Sequence, residues 1–143
     1  MVASAIAPET LCAYTEATYT VIRDDGQVLT FRIEEASADL RALLTSHSAP
    51  QACFVTACNP RSEVLGDEAN QVRQEELVRH CTELSIAFLR GHSHDSSAPN
   101  EWLEHSLFLF CDVESGKRLG HMFDQNSIVE ISGDGLPSLV NLR

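Results

Sequence analysis

Residues 52–57 (Ala-Cys-Phe-Val-Thr-Ala) form an apolar run broken only by Thr56 and bracketed by Pro50 and Pro60. A run this short and this apolar predicts a strand covered on both faces. Such a strand needs a layer above and a layer below, which restricts the chain to sheets packed with helices. Its exit is equally constrained. Pro60 drives Asn59 out of the right-handed helical region, so the strand stops there and a loop carrying Arg61 and Ser62 begins. In α/β sheets, crevices open beyond the ends of central strands.

The remaining elements follow from periodicity and turn chemistry. Residues 8–14 read as a short helix with Pro8 in its first turn. Residues 19–23 and 28–33 read as a hairpin turning on Asp24, Asp25 and Gly26. Ser37 caps a helix whose Leu40, Leu43 and Leu44 make one stripe. Asp67 is expected to cap a long helix over 68–84, with Ala69, Val72, Leu77, Cys81 and Leu84 apolar and Arg73, Gln74, Glu75 and Arg79 polar. A strand over 86–90 leads into a polar stretch, 92–101, read as the longest loop. Residues 106–111 repeat the all-apolar pattern, Asp112 caps a helix over 113–122, and strands at 127–131 and 138–142 close the chain around Gly133 and Gly135. The class expected is α+β: a mixed, partly antiparallel sheet of about six or seven strands with three or four helices. One domain spans 1–143, with 1–13 a loosely held N-terminal segment.

Charge excludes whole classes of partner. Ten Lys and Arg against 21 Asp and Glu leave a formal charge of −11, which repels nucleic acid and anionic lipid alike. No stretch approaches the ~18 apolar residues of a membrane span, and the N-terminus lacks the basic and apolar regions of a signal peptide. Five cysteines without paired close spacing read as reduced thiols, so a cytoplasmic protein is expected. A homodimer is compatible with all of this.

Four places carry chemistry-bearing residues. Arg61 could clamp a carboxylate or phosphate, the alternative being a plain turn with a solvated arginine. Trp102, Glu104, His105 and Ser106 sit at a strand entrance, and a period of two puts Glu104 and Ser106 on one side, where the carboxylate could do acid–base work. Gln125 and Asn126 precede a strand and can satisfy loop backbone or read a ligand's edge. His92, His94 and Asp95 invite a metal reading and match part of the metallo-β-lactamase motif. The next expected histidine is Ser96, however, and the other ligands are missing, so a surface loop is preferred and no metal or cofactor is assigned.

Taken together, Thr56-Ala57-x-Asn59-Pro60-x-Ser62, Asn70, Trp102-x-Glu104-x-Ser106 and Leu119-Gly120-x-x-Phe123-x-Gln125-Asn126 resemble the bacterial domain of unknown function family 3293 over residues 14–142. The resemblance implies no reaction, but it implies that the four motifs belong together. It departs from the family pattern at Cys58, where the family has Trp, and at His105, where it has Pro. The expected function is a pocket for a small polar or anionic, even nucleotide-like, ligand. Arg61 would hold the anion, and Asn59, Ser62, Asn70, Ser106, Gln125 and Asn126 would supply polar contacts. Trp102 and Phe123 would wall the pocket, and Glu104 would be the catalytic candidate for hydrolysis or group transfer. The alternative is a non-enzymatic interaction module in which these residues only lock loops together.

Overall fold

The computed structural model describes residues 6–96 and 103–143. In chain order they form α1 (Pro8–Glu16), β1 (Thr18–Ile22), β2 (Val28–Phe31), α2 (Ala38–Ser46), β3 (Ala52–Val55) and a 3-10 turn (Pro60–Ser62). There follow α3 (Asp67–Glu83), β4 (Phe88–His94), β5 (Glu104–Leu109), α4 (Val113–Met122), β6 (Ser127–Ile131) and β7 (Pro137–Asn141). The seven strands make one sheet in the order β2-β1-β4-β5-β3-β6-β7. The chain is therefore α+β, with seven strands and four helices among the described residues.

The sheet is not mixed, contrary to the expectation. Every neighbouring pair is antiparallel, including β3 and β5, which carry the two apolar runs and place Phe54 opposite Phe108; β5 begins two residues before the expected 106–111 and ends at Leu109. An apolar run reports burial on both faces, and burial is indifferent to strand direction. Alternation along β3 shows how the two faces are used. Ala52 and Phe54 join a core with Tyr19, Phe31, Leu40, Leu44 and Phe108 on the α2 side. Cys53 and Val55 join a second core with Leu77, Cys81, Leu107, Leu119 and Phe123 on the side of α3 and α4. Two helix caps fall where the hydroxyl and carboxylate predict: Leu40 N donates to Ser37 Oγ at 3.1 Å and Ser115 N to Asp112 Oδ1 at 2.8 Å. The third does not: Asp67 is the first residue of α3, whose N-cap is Gly66 with no side-chain cap bond.

Two elements differ from the reading of the sequence. In α3 the inward face carries Gln74, Leu77 and Cys81, whereas Val72 and Leu84 are exposed. The weak apolar period left the helix's rotation undetermined, and Gln74 is drawn inward by donating to the Ser106 carbonyl at 3.2 Å. In the supposed loop, His92, Ser93 and His94 are part of β4, held by β1 on one side and β5 on the other. Polar residues are poor strand formers alone, but two flanking ladders override propensity.

Candidate functional site

Strand register assembles the site. Tyr19 of β1 lies opposite Ser93 of β4, and Ser93 opposite Glu104 of β5, so the three form one row across the sheet. Next along β5, Ser106 is opposite Gly91. A methyl at Gly91 would run into the Thr20 carbonyl and come within 3.0 Å of the Phe54 ring, so glycine lets that ring lie against the sheet. Thr56, Ser127 and Val129 continue the same face, while Glu9, Thr10, Ala13 and Tyr14 of α1 close it over. The partly open cavity measures about 350 Å³, at the small end of the roughly 300–1,000 Å³ range of ligand sites. Tyr19 is fixed in its wall by stacking on Phe31 (5.3 Å), edge contact with Phe54 (5.4 Å) and a 2.6 Å hydrogen bond from its hydroxyl to the Tyr14 carbonyl.

Glu104 is the chemically distinctive group. Its side chain is largely buried against the cavity, and burial lifts its carboxyl from 4.5 to about 7, against the opposing pull of the Asn59 amide. That amide donates to Oε2 at 3.1 Å. Among the described residues Oε1 has no hydrogen-bond partner. The same burial, with Glu104 nearby, raises the Tyr19 phenol.

Asn59 holds the carboxylate because it is itself over-determined. Its backbone N–H donates to Asn70 Oδ1 at 2.9 Å, and its Oδ1 accepts from Asn70 Nδ2 and Leu65 N, both at 2.9 Å. These bonds hold Asn59 in the left-handed region (φ 46°) despite the following proline, a position Asn tolerates better than most residues. Arg61 and Ser62 are also left-handed, at φ 55° and 62°. Three such residues in four amount to backbone strain of the kind concentrated at functional sites.

The candidate residues divide by place. Asn59, Ser62, Glu104, Ser106 and Gln125 line the cavity. Asn70 stands behind it, clamping Asn59. Asn126 acts at the hinge with α1: its Nδ2 donates to the Tyr14 hydroxyl at 3.1 Å and lies 3.4 Å from Ser62 Oγ, which in turn bonds Tyr14. Arg61 does not reach the lining; its guanidinium lies 3.8 Å from Asp124 and is more than half exposed. Phe123 is no wall of this cavity either, being buried in the core on the opposite face beneath the Arg73 guanidinium. Trp102 lies outside the described residues. His94 and Asp95 touch the cavity rim, and among the described residues no three His, Cys, Asp or Glu side chains converge to hold a metal ion.

Tyr14, Tyr19 and Ser93 were not foreseen. Their residue types carry no motif; the β1–β4–β5 register brings Tyr19 and Ser93 into a row with Glu104, and Tyr14 reaches the cavity from α1. Arg73, a polar position of α3 in the sequence, donates to the Ala57 carbonyl at 2.6 Å and the Phe123 carbonyl at 2.5 Å, tying the exit of β3 to that of α4. No periodicity would have found it, because its partners are backbone oxygens.

A family model described as "Protein of unknown function (DUF3293)" matches residues 55–128, from the last residue of β3 into β6. The chain belongs to this family. Every candidate ligand and catalytic residue read from the sequence falls within the matched DUF3293 segment, whereas α1 and Tyr19 lie before it. No curated protein and no solved structure matches the chain. No helix among the described residues is long and apolar enough to cross a membrane.

Proposed function

We propose that this protein binds a small polar ligand in the cavity between α1 and the sheet, with Glu104 as its principal hydrogen-bonding and proton-transferring group. One observation carries this: a largely buried carboxylate, with one hydrogen-bond donor among the described residues and a carboxyl pKa near 7, lines a partly open cavity. A group poised near neutrality is suited to general acid–base work, so hydrolysis or group transfer is the chemistry it would serve. The strained Asn59–Ser62 loop supports the same reading. The anionic and nucleotide-like version has less support, because Arg61 pairs with Asp124 outside the lining.

The interaction-module reading keeps a narrower footing. Gln125 Nε2 donates to the Cys58 and Phe123 carbonyls, and Asn59 and Asn70 bond each other, so part of the polar set locks loops together. Five free cysteines suit a reducing compartment, and a cytoplasmic role is proposed on that basis. The test is a fragment screen by ligand-observed NMR on wild type and Glu104→Gln. Polar fragments that bind wild type and weaken at least about tenfold in the variant support the pocket; a screen without hits at millimolar concentration refutes it.

A further inference from the structure

We propose that the ligand of this cavity is a small cation, an ammonium-type group on an apolar body. The inference rests on the pocket reading above and names its ligand class. Among the described residues, three carboxylates line the cavity, Glu9 from α1, Asp95 after β4 and Glu104 from β5, and no Lys or Arg does. The nearby guanidinium groups have other partners: Arg61 and Arg143 lie against Asp124, and Arg73 binds two backbone carbonyls. An anion placed here would meet the carboxylates of Glu104 and Glu9 with no Lys or Arg in the described lining to offset them, which is unfavourable in a partly buried site. A cation would find the opposite.

Glu104 has acceptor capacity to spare. An ionised carboxylate offers about four lone-pair sites, and the Asn59 amide is its one hydrogen-bond donor among the described residues. An ammonium group brings three N–H donors and the charge that favours the ionised carboxylate. The rest of the lining suits an apolar body. Phe54, Ile128, Val129, Leu139 and Tyr19 provide aliphatic and aromatic surface. The overall charge of −11 also draws cations toward the protein.

The test compares three molecules of one shape: isoamylamine, isoamyl alcohol and isovalerate, titrated into the full chain and followed by calorimetry and amide NMR. The amine should bind at least about tenfold more tightly than the alcohol, and the carboxylate more weakly still. In Glu104→Gln the preference for the amine over the alcohol should fall to about threefold or less. Glu9→Gln, an exposed change on α1 that leaves folding intact, should reduce the preference in the same direction by a smaller factor. Equal or tighter binding of the alcohol or carboxylate overturns the cation inference and leaves the pocket standing. Absence of any shift from all three molecules overturns both.

Discussion

Glu104 illustrates how one residue's surroundings become a measurable property of the whole protein. Between pH 4.5 and about 7 the folded state keeps a proton on this carboxyl that the unfolded chain gives up. The folded state therefore binds more protons in that window, and the stability contributed by this group falls as pH rises through it and levels off above. Glu104→Gln keeps an acceptor for the Asn59 amide and removes the titration. The variant should gain up to about 3 kcal/mol over wild type near pH 8 and gain nothing near pH 4, as read by urea unfolding at each pH. A loss at the higher pH would mean that the side chain serves the fold. Arg61 should behave differently. Its pair with Asp124 is more than half exposed on both sides, so Arg61→Ala should shift stability by less than about 0.5 kcal/mol. A larger loss would restore a structural role to a side chain that appears here only at the surface.

At the scale of elements, the loop after β3 and the packing of α4 bear most directly on the site. Asn70→Ala removes both reciprocal bonds to Asn59 and frees a left-handed residue from its restraint. It should lower the unfolding free energy by about 1–3 kcal/mol with an unchanged dependence on denaturant. It should also loosen Glu104, visible as a downward drift of that carboxyl's titration in NMR once water reaches it. In α4, a methyl at Gly116 would come within 2.6 Å of Cys53 Sγ and 2.9 Å of its Cβ. Alanine is the better helix former by about 1 kcal/mol, but overpacking costs about 1–3 kcal/mol and should win. Gly116→Ala should therefore destabilise, whereas Gly66→Ala, whose methyl meets nothing within 4 Å, should stay within about 0.5 kcal/mol of wild type.

For the molecule as a whole, burial predicts that the sheet is the stable body and that α1 opens before it. All four residues of β3 are buried, whereas α1 buries none and is held by the contacts of Tyr14 with Ser62, Asn126 and Tyr19. Amides of α1 should exchange with solvent well before those of β3 and β5 in native-state hydrogen exchange. Tyr14→Phe, which removes the two side-chain contacts, should speed exchange in α1 and leave the sheet unchanged. Uniform protection across α1 and β3 would contradict this picture.

Much of this architecture is legible in the sequence. The apolar runs at 52–57 and 106–111 determined two strands covered on both faces, and Ser37 and Asp112 marked helix starts that the structure keeps, because burial and capping are local properties of residue type. The period of two also put Glu104 and Ser106 on one face, and both line the cavity. Strand direction, the rotation of α3 and the inclusion of His92 and His94 in β4 were decided by tertiary pairing, which no local pattern encodes. The same holds for the site. Sequence spacing cannot say that Tyr19, Ser93 and Glu104 share a row, that Arg61 turns to Asp124, or that Arg73 is occupied by carbonyls from two other segments. Those outcomes depend on which distant groups arrive as partners, and they set the charge of the cavity and the proton affinity of Glu104.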